Sequence, residues 1–229
     1  MMHVSQSVPK LSCKFDRYAK PATIEDLDRW AAESMLKIQE ATQSQLNKKI
    51  ENIPPRFRNK TFADFKIENE GQEKVKKIAM RYVETFQDRL ENGTSIVLQD
   101  CSRTGTLLSL IMHQALIRAG FNSRYESSLE FIKLLLEIKF KSQSYFDAEL
   151  KALNQYHFFI IDGITESITK DGKPSEIERK LLCKIINERY ENNLCTLVIT
   201  HRDKKEFINR LGETLYTQLS EKGINLILS

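Results

Sequence analysis

The run Ser95-Ile96-Val97-Leu98-Gln99-Asp100-Cys101-Ser102-Arg103-Thr104-Gly105-Thr106-Leu107-Leu108 has the order of a phosphate-binding loop: an apolar strand, a short polar loop, then a helix. Such a loop reads G-x-x-x-x-G-K-[ST]. Its glycines let backbone N–H groups wrap a phosphate, and its lysine neutralises the charge. Here Gln99 stands at the first glycine, Thr104 at the second and Gly105 at the lysine. Thr106, the magnesium-ligand position, alone keeps its type. A Cβ at residues 99 and 104 hinders the tight turn and the approach of backbone to phosphate. Loss of the lysine removes a charge-assisted contact to the β- and γ-phosphates. Two further groups have the right setting. Asp162 follows Phe158-Phe159-Ile160-Ile161, where an apolar strand would present an acid to a metal, and Thr200-His201 follows Leu197-Val198-Ile199, where a sensor residue would sit. Cys101 reads as a loop filler, since no His–Asp pair can be assigned to it, and His157 reads as structural.

These groups act together only if the elements carrying them bring their ends together. Residues 96–98, 157–163, 197–200 and 224–228 are short apolar runs of the kind that become buried parallel strands. A further short strand is predicted at residues 122–125. Helical spacing predicts helices between them. Val75, Ile78, Ala79, Tyr82, Val83 and Phe86 share one face ahead of the Asn92-Gly93 turn. Further helices are predicted over residues 107–119, 129–138, 146–153, 176–190, 204–211 and 215–219, with a polar loop at 165–174. Alternating strands and helices predict βαβ units: an α/β fold of three αβα layers around a parallel sheet. In such a sheet ligands bind at the carboxyl ends of the strands. The loop after Leu98, Asp162 and Thr200-His201 then meet at one edge, in the order of a P-loop ATPase.

The 229 residues suffice for one main domain and an appendage. A composition 41% hydrophobic and 29% charged suits a globular protein with a core. No apolar run approaches the ~20 residues that span a bilayer, and residues 1–20 carry no apolar signal core. A cytoplasmic chain with no membrane partner is expected. Cys13, Cys101, Cys183 and Cys195 form no C-x-x-C pair, which argues against a zinc site or a disulfide framework and suits a reducing compartment. The net charge of +4 permits nucleic-acid contact without requiring it.

Residues 1–22 show no periodicity. Thr23 then caps a predicted helix whose Leu27, Trp30, Ala31, Met35, Ile38 and Ala41 lie on one face, with Glu33, Lys37, Glu40 and Lys48 opposite. That stripe must be covered, either by the rest of this chain or by a partner that takes Trp30 and Met35. Pro54-Pro55 stops the helix. The division expected is a helical segment at 1–52 and a core domain at 53–229. In the stretch after the prolines, Phe57, Phe62 and Phe65 would lock the linker onto the core. Arg56, Arg58 and Lys60, with Arg103, are the candidates for DNA contact.

The stretch Ile53-Pro54-Pro55-Arg56-Phe57-Arg58-Asn59-Lys60-Thr61-Phe62-Ala63-Asp64-Phe65, followed by Glu68-Asn69-Glu70-Gly71-Gln72, resembles the lead-in to the ATPase domain of DnaC-type bacterial and phage helicase loaders. Asp162, Thr200 and Leu211-Gly212-Glu213 match that family's later motifs. The related IstB transposition helpers share this core. The resemblance implies an AAA+ domain, a DnaB-type replicative helicase as partner through the N-terminal segment, and delivery of that helicase to single-stranded DNA. Carried over by position, it places Gly105 at the Walker-A lysine, Gly163 at the Walker-B glutamate and His201 at the sensor asparagine. It also places Thr214 at the arginine finger and Gln218 at the next arginine. Thr106 and Asp162 survive as a vestigial nucleotide and magnesium site. Five losses at five positions imply a chain not held to ATP hydrolysis: no catalytic residue and no cofactor, with ATP and Mg²⁺ the ligands should the site still be competent. Without the finger, weak or no ATP-driven self-assembly is expected.

Overall fold

Apolar strands that cannot face water on either side force helices onto both faces of the sheet. In a computed structural model of the chain that arrangement is realised over the described residues, which are 53–100, 104–167, 169 and 174–228, with Glu33. The helix expected over 23–52, with Trp30 and Met35, lies outside them apart from Glu33, as do Cys101 and Arg103.

Two 3₁₀ turns, Pro55–Phe57 and Phe62–Asp64, lead into α1 (Glu70–Glu84) and α2 (Phe86–Glu91). There follow β1 (Ile96–Asp100), α3 (Gly105–Arg118), β2 (Ser123–Ser127), α4 (Ser128–Lys141), α5 (Gln143–Leu153) and β3 (Phe158–Asp162). The domain ends with α6 (Glu176–Glu191), β4 (Cys195–Thr200), α7 (Lys204–Leu211), α8 (Glu213–Ser220) and β5 (Ile224–Leu228). Five strands pair in the order β2-β3-β4-β1-β5, and every pair is parallel. Asp162 is in register with Ile199, and Gln99 with Thr200.

Successive residues of each strand face opposite ways, so the three central strands β1, β3 and β4 each feed two cores. Val97, Phe159, Ile161 and Val198 pack with α4 to α8. Ile96, Leu98, Phe158, Ile160, Leu197, Ile199 and Leu226 pack with α1 and α3. The three layers expected from the alternation are present. No described helix is long and apolar enough to cross a membrane.

The helix starts are encoded locally. The Asn69 side chain accepts from Gln72 N at 2.9 Å and caps α1. Ser175 and Glu178 form a capping box at α6, and Asp203 caps α7. The one helix predicted through Val75 and Phe86 is two, divided at Thr85. Thr85 leaves helical geometry (φ −106°, ψ 27°), while its N–H and its hydroxyl both bond back to Arg81 O, at 3.0 and 2.8 Å. The linker is locked as the three phenylalanines suggest. Phe65 is buried, Phe57 and Phe62 pack against the cores, and the buried Gln114 of α3 clasps the linker through Asn59 N at 2.7 Å and Phe57 O at 2.9 Å.

Arg189 on α6 is wholly buried, and its hydrogen bonds among the described residues all go to carbonyls and a hydroxyl. It donates to Leu153 O (2.7 Å), Tyr156 O (3.0 Å), Cys195 O (2.7 Å) and Thr196 Oγ1 (3.0 Å). It thereby joins the end of α5 to the start of β4. Burial lowers its pKa to about 10, so it remains charged at neutral pH. Arg189→Met strands three carbonyls and is expected to cost about 3 kcal/mol or more in urea unfolding. A loss under about 1 kcal/mol would refute this role. His113 on α3 lies 2.7 Å from Ser123 Oγ, and burial lowers its pKa from 6.5 to about 4. Its neutral form is the folded form, so its contribution is complete above pH 6.5 and lost as pH falls toward 4. His113→Asn should therefore remove about 3 kcal/mol of acid sensitivity across that window. An unchanged midpoint-against-pH curve would contradict it.

Candidate functional site

The carboxyl ends of β1, β3 and β4 adjoin on one edge of the sheet, and side chains from four elements meet there. Asp162 ends β3, and its Oδ2 accepts two hydroxyls: Thr106 Oγ1 at 2.7 Å, from the first turn of α3, and Tyr125 Oη at 2.7 Å, from β2. Burial, then the Asp162 carboxylate, push the Tyr125 hydroxyl well above the usual phenol range, so it stays a donor at every physiological pH. Asp162 and Thr106 are the pair that would hold a magnesium ion in a phosphate-binding site. Their oxygens are already joined to each other and to Tyr125.

The lysine position is built differently. Gly105 opens α3, and its N–H donates to Asp100 Oδ2 at 2.8 Å. Asp100 is completely buried at the end of β1. A Cβ placed on Gly105 would lie 2.9 to 3.1 Å from Oδ2, Cβ and Cγ of Asp100, so the Asp100 side chain would have to shift to admit it. The missing lysine is thus not a simple truncation: the Asp100 side chain fills the space a residue 105 side chain would need. Thr104 precedes the helix in an αR conformation with no capping hydrogen bond from its side chain.

At the third strand end, His201 Nδ1 lies 2.9 Å from the Asp100 carbonyl and ties β4 to β1. His201 Nε2 faces Glu166 at 3.7 Å. Thr200 Oγ1 is 3.1 Å from Thr165 Oγ1 and accepts from Arg202 N at 3.0 Å, fixing the turn after β4. Gly163 has a φ of +73°, in the left-handed region that favours glycine. A Cβ there would lie 3.1 Å from the Glu166 carboxylate. An acid three residues on therefore stands beside the position where the glutamate was expected.

Gln99, Gly105, Thr106, Asp162, Gly163 and His201 lie at these neighbouring strand ends. Thr214 and Gln218 lie elsewhere, lining a groove of about 530 Å³ with Arg179, Lys180, Lys184 and Asn187, where Gln218 Nε2 donates to Asn187. Arg56, Arg58 and Lys60 belong to the linker. Arg56 lies over the Phe57 ring, Arg58 donates to Ile53 O at 2.7 Å, and Lys60 pairs with Asp64 at 3.2 Å. Three residues of the site escaped sequence reasoning: Asp100, Tyr125 and Glu166. Asp100 sat inside the loop as an unread position, and no spacing rule points to the other two. Among the described residues, no group of three or more His, Cys, Asp or Glu could hold a metal.

The domain is similar to the crystal structure of the DnaC helicase loader, with a TM-score of 0.67 and 18% identity over 77% of this chain and 100% of that one. It is similar to DnaI, with a TM-score of 0.60 and 15% identity over 78% of this chain and 92% of that one. It is also similar to the replication initiator DnaA bound to AMPPCP and single-stranded DNA, at a TM-score of 0.64 and 14% identity. That likeness covers 78% of this chain and 51% of the DnaA chain, about half its length. No protein-family model and no curated protein matches the chain. At these identities the likeness establishes the fold alone, a three-layer α/β domain built on a parallel sheet.

Because one carboxylate oxygen accepts both hydroxyls, Thr106→Val and Tyr125→Phe should each cost about 1–2 kcal/mol in urea unfolding. The double variant should cost less than the sum of the two. Strict additivity would show that the two bonds do not share Asp162.

Proposed function

We propose that this chain is a cytoplasmic DNA-replication protein of the helicase-loader type whose core acts without an ATP cycle. The likeness to the DnaC loader over that chain's whole length supports the loader part, as does the DnaC-like lead-in at residues 53–72. One observation carries the nucleotide-independent part: at the lysine position a buried carboxylate accepts the Gly105 N–H. A phosphate oxygen brought there would have to displace the Asp100 carboxylate from the Gly105 N–H, and residue 105 has no side-chain cation to hold it. Residues 53–229 then serve as scaffold, and residues 1–52 dock on a DnaB-type helicase through the face bearing Trp30 and Met35. The helicase is either delivered to single-stranded DNA or held off it. With Thr214 and Gln218 at the finger positions, no ATP-driven assembly follows.

A second reading, an atypical ATPase, draws on Glu166, whose carboxylate stands against Gly163 and could orient a water. A third, an IstB-like helper or single-strand binder using Arg56, Arg58, Lys60 and Arg103, requires affinity that falls steeply with salt.

Full-length protein is expected to capture the helicase, and protein lacking residues 1–52 to lose it. No capture by either form would sink the loader reading. Isothermal titration with ATP and Mg²⁺ should give no heat at millimolar ligand; micromolar binding with turnover would replace the first reading by the second.

A further inference from the structure

We infer that the Asp100 carboxylate is a built-in substitute for a bound phosphate, holding the start of α3 in the liganded arrangement permanently. The inference rests on the nucleotide-independent reading and adds what takes the nucleotide's place. Three observations carry it. Asp100 is completely buried at a strand end, where an ionisable side chain is costly unless it is hydrogen-bonded. Its Oδ2 lies 2.8 Å from Gly105 N, at the first turn of a fourteen-residue helix whose dipole favours an anion. Residue 105 is glycine, and a Cβ there would lie 2.9 to 3.1 Å from Asp100 side-chain atoms and push the carboxylate off its contact. The carboxylate and the glycine thus form one unit. His201 secures it from β4 through the Asp100 carbonyl at 2.9 Å, while Thr106 and Tyr125 close Asp162. In a nucleotide-driven domain the loop changes partner with each turnover. Here the partner is covalently part of β1, so the strand-end cluster has one arrangement.

Amide hydrogen exchange of the full-length wild-type protein, read at Gly105, tests this. In plain buffer the amide is expected to exchange on the order of a thousandfold more slowly than in an unfolded chain, and 10 mM inorganic pyrophosphate should leave that rate unchanged. Asp100→Asn keeps the shape and removes the charge; it should speed exchange at Gly105 about tenfold or more. Gly105→Ala should lower Tm, and Asp100→Gly/Gly105→Ala should lower it by less than the two single changes added. A Gly105 amide that exchanges freely in buffer and becomes protected by pyrophosphate overturns the inference. So does a strictly additive double variant. An unprotected amide in a protein that still ignores ATP and still captures the helicase would defeat this inference alone and leave the proposed function standing.

Discussion

The parallel sheet is the constraint on which the rest depends. Parallel strands must be buried on both faces, because their crossover helices lie there. That requirement puts Phe158, Ile160 and Leu98 on one side and Phe159, Ile161 and Val97 on the other. It also sends every strand's carboxyl end to the same edge. Asp100, Asp162 and Thr200 need no other device to become neighbours. The register of β1 with β4 and of β3 with β4 sets them side by side.

What that edge does depends on which charges meet there. A phosphate-binding edge is short of negative charge and rich in donors. Among the described residues this edge carries the carboxylates of Asp100, Asp162 and Glu166, and the first two accept from the chain's own groups: a backbone N–H for Asp100, two hydroxyls for Asp162. The likeness to the DnaC and DnaA structures therefore coexists with a site whose polar groups bond to one another.

Much of the fold was legible because its signals are local. Unbroken apolar runs such as Phe158 to Ile161 read as buried strands, and side-chain caps such as Asn69, Ser175 and Asp203 lie within three residues of what they cap. The break at Thr85 is not legible in the sequence because apolar spacing continues through it, and only the backbone angles of Thr85 mark the division. The candidate site was legible as a set of positions, since the loop, the acid after β3 and the threonine after β4 each follow a recognisable strand. Its chemistry was less so. Tyr125 reaches Asp162 across thirty-seven residues, and Glu166 reaches the Gly163 position through a left-handed turn that the sequence does not announce.

The sequence by itself determined the alternation of strands and helices, the strand ends at which a site must lie, and the absence of lysine and glycine from the loop. Residue type and short-range periodicity decide these. Only the tertiary structure decided what fills the place of the missing lysine. Gly105 reads as a loss until Asp100 is seen folded against it, and no pattern of residue types reports that a buried carboxylate lies 2.8 Å from an amide five residues along. Burial leaves that carboxylate dependent on such donors, and the missing Cβ of Gly105 leaves room for it.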